Sequence, residues 1–135
     1  MTSELRVDNL KGSTTVGSIN VLGEGTSATT NLQQGLAKAW INFDGTAADA
    51  GTDLDGVRDS FNVASLIDNS SGNYNVNLTN NTSNTSYCFL GINNTFHSAI
   101  GSTVTTSSYN LQSYSSSHSS EDVSLFTSAT HGDLA

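Results

Sequence analysis

Residues 73–79, Asn-Tyr-Asn-Val-Asn-Leu-Thr, alternate without a lapse: Tyr74, Val76 and Leu78 fall on one side, Asn75, Asn77 and Thr79 on the other. A period of two is the signature of a strand with one face buried and one face wet. The four residues before the strand, Asn69-Ser70-Ser71-Gly72, have the chemistry of a hairpin turn. A strand with one apolar face needs neighbours, and several other segments are of the same kind. In 39–43 (AWINF), Trp40 and Asn42 oppose Ile41 and Phe43. In 58–68 (RDSFNVASLID), Phe61, Val63 and Ser65 share a face before the phase blurs. Further strands are expected at 86–93, 103–114 and 122–129. Six or seven short strands about a dozen residues apart predict an all-β fold, a small β-sandwich or a prism-like domain.

Composition supports the same class. Ser, Thr, Asn and Gly supply 66 of the 135 residues and there is no proline. Ser, Asn and Gly weaken helices, while Thr suits strands. Residues 29–40 are the best helical candidate: Thr30 or Asn31 can cap, and Leu32, Leu36 and Trp40 recur at helical spacing. The reading is an extended N-terminal arm over 1–30, a short helix over about 31–39, and a β domain completing 31–135. Within the arm, 5–10 and 16–23 are short extended pieces, and 23–31 is a flexible connector.

Only 35% of the residues are apolar. A chain of this size buries about two-thirds of its surface, and apolar burial contributes roughly 25 cal/mol per Å². So lean a core predicts association with identical copies. Leu32, Leu36 and Trp40 are the residues expected to gather three chains, and Leu5, Val7 and Leu10 are the arm residues expected to dock elsewhere.

Twelve acidic residues against four basic ones give a net charge of −8, which argues against nucleic acid as a partner. No apolar run is long enough to insert in a membrane. The first residues lack the pattern of a secretion signal, and synthesis in a reducing cytoplasm is the expectation.

Five aspartates, Asp44, Asp49, Asp53, Asp55 and Asp59, lie within sixteen residues. The twelve-residue calcium-loop spacing with its terminal Glu is missing, so a solvated loop is expected. His97, His118 and His131 have no spacing that suits zinc, and no strained nucleophile elbow is present. The reading is therefore no enzyme, no cofactor and no metal. Cys88, between apolar neighbours, is expected to be a buried small hydrophobe. The Tyr- and Ser-rich stretch 107–122 makes Tyr109, Tyr114 and His118 candidate contacts to a glycan or protein partner.

Two segments, LAKAWINFDGT and VRDSFNVASLIDNSSGNYNVNLT, resemble a domain recurrent in tail-fibre and virion structural proteins of marine tailed phages, those of cyanobacteria among them. SELRVDNLKG near the start and VSLFTSATHGDLA at the end are similar to that family's leader and closing strand. Residues 47–56 form a longer Ala/Asp-rich loop than the family pattern, and 80–120 follow none of it. The resemblance implies a homotrimeric tail-fibre or spike component of a virion, attached to other virion proteins by its arm. Two other roles are a head decoration protein and a carbohydrate-binding host-adhesion module. The family's Arg-Asp pair, here Arg58-Asp59, implies an ion pair within or between chains.

Overall fold

The computed structural model describes residues 4–13, 19–22, 28–95 and 97–134, with the side chains of 97–102 left aside. Parts of the expected piece 16–23 and of the connector 23–31, namely 16–18 and 23–27, lie outside the described residues. The chain divides into two compact units, Met1–Leu36 and Ala37–Ala135.

In the first unit, residues 4–13 carry no regular pairing. Strand β1 (Asn20–Leu22) pairs antiparallel with β2 (Thr29–Asn31). One helical turn follows, α1 (Leu32–Gly35), capped by Asn31, whose Oδ1 accepts from the Gln34 amide at 3.1 Å. The expected helix over 31–39 is thus a single turn. Leu36 is already extended, and from Ala37 the backbone groups are used in a sheet ladder instead, a case of tertiary pairing overriding helical spacing.

Among the described residues the second unit holds eight strands: β3 (Ala37–Phe43), β4 (Val57–Phe61), β5 (Val63–Ser70), β6 (Asn73–Leu78), β7 (Cys88–Asn93), β8 (His97–Val104), β9 (Ser108–Tyr114) and β10 (Phe126–His131). They form two antiparallel four-stranded sheets, ordered β4-β3-β10-β7 and β5-β6-β9-β8. The inner faces meet in one core, making the all-β fold a sandwich. From the first sheet come Ile41, Phe43, Phe89 and Phe126; from the second, Leu66, Tyr74, Val76, Tyr109 and Leu111. Phe43 stacks on Phe126 with centroids 5.4 Å apart, and Tyr74 meets the edge of Phe43 at 5.1 Å. Across the same gap Tyr109 lies 4.9 Å from Phe89 and exchanges a 2.8 Å hydroxyl hydrogen bond with Ser128.

Two expected strands prove to be two strands each. Segment 58–68 breaks at Asn62, which has a φ of 58°, so β4 ends in one sheet and β5 begins in the other. Asn tolerates this left-handed conformation better than most residues. Its side chain is fastened on both sides: Nδ2 donates to the Lys38 and Asn80 carbonyls at 2.9 and 3.1 Å, and Oδ1 accepts from the Asn80 amide at 2.7 Å. The blurred apolar phase was the trace of this crossover. Segment 103–114 breaks instead at a hairpin turn, and its two parts, the end of β8 and β9, pair within one sheet. There Thr105 Oγ1 accepts from the amides of Ser107 and Ser108 at 3.2 and 2.9 Å.

The β5–β6 hairpin has the turn expected from its sequence, with Gly72 at a φ of 66°. A Cβ there would stand 2.5 Å from the Ser113 carbonyl oxygen. The exposed edge of β5 is covered by the acidic loop: the amides of Leu66 and Asp68 donate to the carbonyls of Asp53 and Asp49 at 2.8 and 2.7 Å. Covering an edge in this way blocks edge-to-edge aggregation.

Asn62→Ala keeps the strained backbone but removes the side-chain bonds that hold it. A loss of about 2–4 kcal/mol is expected, read as a lower urea midpoint with an unchanged slope. Asn69→Ala, at an exposed position near the end of β5, serves as the nearly neutral comparison.

Candidate functional site

The outer face of the first sheet is built by the alternation that builds the core. Along β3, Ala39, Ile41 and Phe43 point inward, which turns Trp40 and Asn42 outward. On β10 the outward residues are Thr127 and Ala129, and on β7 they are Cys88, Leu90 and Ile92. Register then places them in rows. Phe61, Trp40, Ala129 and Leu90 stand opposite one another across all four strands, and Asp59, Asn42, Thr127 and Ile92 form the next row.

Most large residues of these rows are poorly covered: Phe61 is 53% exposed, Leu90 66%, Ile92 68% and Trp40 36%. Between Trp40 on one side and Leu90 and Ile92 on the other runs a shallow trough of about 410 Å³, floored by Thr127 and Ala129. Exposed apolar area gathered on one face makes this face a candidate interaction surface.

Of the residues expected to gather chains, Trp40 therefore lies on a strand, in this face, not on a helix. Leu32 and Leu36 belong to the first unit, where they line a separate groove of about 300 Å³ with Leu10 and Ile19. Leu36 is 54% exposed. Of the three arm residues, Leu10 borders this groove, and Leu5, Val7 and Leu10 are all exposed.

Tyr109 cannot meet a receptor from where it lies. It is fully buried, in the inward register of β9, and burial pushes its hydroxyl pKa up to about 12. Tyr114 is half-buried, with its hydroxyl donating to Gln112 Oε1 at 2.7 Å. His118 is exposed at the tip of a Ser-rich turn with a φ of 61°. Only Tyr114 and His118 of the three reach solvent.

The five aspartates divide by role. Asp49, Asp53 and Asp55 bring carboxylate oxygens within 4.8 Å of one another, all exposed. Asp49 and Asp53 each also accept from a backbone amide two residues on, at 2.6 and 3.0 Å. Asp59 stands in the outer rows. Asp44 belongs to a clamp that sequence reading missed. Arg58 pairs with Asp44 at 3.0 Å rather than with its neighbour Asp59, and also donates to the carbonyls of Phe43 and Ser124 at 3.2 and 2.6 Å. The Thr46 hydroxyl, 2.6 Å away, then the Thr46 amide and last the Arg58 charge hold the Asp44 carboxyl below its ordinary pKa. No spacing rule links positions 44 and 58; only the β3–β4 pairing brings them together.

Cys88 is exposed, contrary to the buried position expected for it, because it takes the outward register at the start of β7, opposite His131. Asp122 is a further residue that sequence reading passed over. Its Oδ1 accepts from the Tyr74 hydroxyl at 2.9 Å and from the Gly72 amide at 2.6 Å. Burial, and then the Asp122 charge, raise the Tyr74 hydroxyl pKa. Asp68 lies in the same acidic surroundings with one carboxylate oxygen buried and without a hydrogen-bond partner. Burial, then Asp122, push its pKa up.

Comparison with family models, with curated proteins and with solved structures finds no match to this chain.

A carboxyl whose folded pKa lies above its unfolded value costs stability once it ionises. For Asp68 that cost sets in as pH rises from the ordinary 3.8 through the raised folded value, and it is fully present at neutral pH. Asp68→Asn is expected to raise the Tm at pH 7, with the gain shrinking to nothing toward pH 3. Asp44, whose pKa is lowered, contributes the opposite dependence. Its stabilisation is present above the ordinary carboxyl range and is lost as pH falls through the folded value. Thermal melts of both Asn variants across pH separate the two.

Proposed function

We propose that this chain is a structural component of a tailed-phage particle, a tail-fibre or spike part that is not an enzyme. In this reading the N-terminal arm attaches it to other virion proteins, and the chain works as a homo-oligomer, a trimer on the family resemblance.

The observation that carries the reading is how the two halves of the resembling pattern meet. Asp44 of the FDGT segment is clamped by Arg58 of the RDSF segment. The same pattern contributes Asn62, which makes the crossover, and Gly72, which makes the hairpin turn. These residues set backbone paths and close the sandwich. A pattern devoted to shape is what a particle part needs, since such a part must hold its form and pack against neighbours.

The head-decoration reading shares this fold and differs in what the arm binds. The adhesion reading is supported by His118, exposed at the tip of its turn, and by half-buried Tyr114, as contacts to a host glycan or protein.

Immunogold labelling of phage particles with antibody against the purified chain tests the role. Label on tail fibres or at the tail tip is the expected result. Label confined to the head transfers the chain to decoration, and particles without label sink the virion role altogether. A glycan array on the purified chain adds a separate reading, with retained binding that His118→Ala abolishes pointing to adhesion.

A further inference from the structure

The outer face of the β4-β3-β10-β7 sheet carries both a knob and a hole. Phe61, 53% exposed, stands at one end of the row it forms with Trp40, Ala129 and Leu90. The trough floored by Ala129 lies on the far side of Trp40, walled by Leu90 and Ile92. Neighbouring strands are about 4.8 Å apart, so Phe61 stands roughly 10 Å from the trough floor, and the trough itself spans two strand spacings, again about 10 Å. That width admits one aromatic ring between its walls. We infer that the trough is filled by Phe61 of a second copy of this chain.

Three properties of the face favour another copy as the occupant. First, the face is self-complementary. A two-fold axis near Trp40 would seat each Phe61 in the other copy's trough, and a closed ring would seat each in the next. Second, the area suffices. The exposed parts of Phe61, Trp40, Leu90 and Ile92 amount to on the order of 400 Å². Two such faces supply on the order of 800 Å² from these four residues, and Asp59, Asn42, Thr127 and Ala129 bring the total near the ~1,200 Å² at which stable specific interfaces begin. Third, charge selects the face. The chain carries a net −8, so copies repel over most of their surface. Asp59 is the one carboxylate in the two rows, and it sits on the edge strand β4.

The inference rests on the proposed role only in taking a further copy as the partner. Its test reads association and not particle binding, so the two can fail separately.

Light scattering on the full chain is expected to give a dimer or trimer mass, two or three times the 14.1 kDa of the chain. Phe61→Ser removes the knob and Ala129→Trp fills the hole. Both are surface changes, and both are expected to return the mass to that of one chain with circular dichroism unaltered. Leu54→Ser, at an exposed leucine of the loop that covers the β5 edge of the other sheet, is expected to leave the mass as it was. Trp40 is the sole tryptophan and borders the trough, so the unaltered protein supplies its own probe. Its emission is expected to shift to the blue with rising concentration, over the range in which the mass rises. A wild-type monomer at sub-millimolar concentration overturns the inference. So does an oligomer that survives both substitutions, or one whose assembly leaves Trp40 emission unmoved.

Discussion

The stacked pair Phe43 and Phe126, with Tyr74 set edge-on against them, is the contact on which the rest of the second unit depends. Phe43 and Phe126 face each other across the β3–β10 pairing, and Tyr74 reaches them from the opposite sheet. A lean chain has few large side chains to spend, and here they are concentrated where two sheets meet. Each aromatic of the trio is fully buried, and burying one is worth several kcal/mol relative to its loss. The polar ends are not stranded. Tyr74 reaches Asp122, Tyr109 reaches Ser128, and Tyr87 donates to the carbonyls of Thr105 and Ser108. Tyrosine therefore does two jobs, filling the core and tying a loop or the facing sheet to it.

The loops are held to this core by specific bonds. Gly45 lies so close beneath the Tyr74 hydroxyl that a side chain there would collide with it, and its amide donates to the Val123 carbonyl at 2.7 Å. Arg58 joins the end of β3, Asp44 and the approach to β10 through one guanidinium. Arg is suited to this because its planar fork offers several donors at once. The acidic loop follows the same logic: its backbone closes the β5 edge while its carboxylates remain in water. Its negative charge further discourages strand addition at that edge.

Much of the fold was legible in the sequence where one local rule dominated. The β6 alternation and the turn before it were read correctly because period-two burial and a glycine with positive φ are both local properties. The inward and outward sets of β3 followed in the same way. Segments 58–68 and 103–114 were each read as continuous, because a single Asn in the left-handed region or a Thr-Ser turn leaves only a faint mark on hydropathy. Cys88 and Tyr109 were misplaced for a related reason. Alternation tells which residues share a face, but not which face the opposite sheet covers when both sets contain apolar residues. In 86–93 both sets do, Tyr87 and Phe89 on one side and Cys88, Leu90 and Ile92 on the other. The candidate site was legible only in Trp40, whose neighbours in the row lie 21, 50 and 89 positions further along the chain.

By itself the sequence determined the class of structure: short strands, polar turns, a lean core and a strongly acidic chain. These follow from periodicity and composition, which act within a few residues. Tertiary structure alone decided the strand order, the pairing of Arg58 with Asp44, and the row of Phe61, Trp40, Ala129 and Leu90 on one uncovered face. Those are consequences of register between strands distant in the chain. Register is chosen by how the whole set of side chains packs, and no short window of residues contains that information.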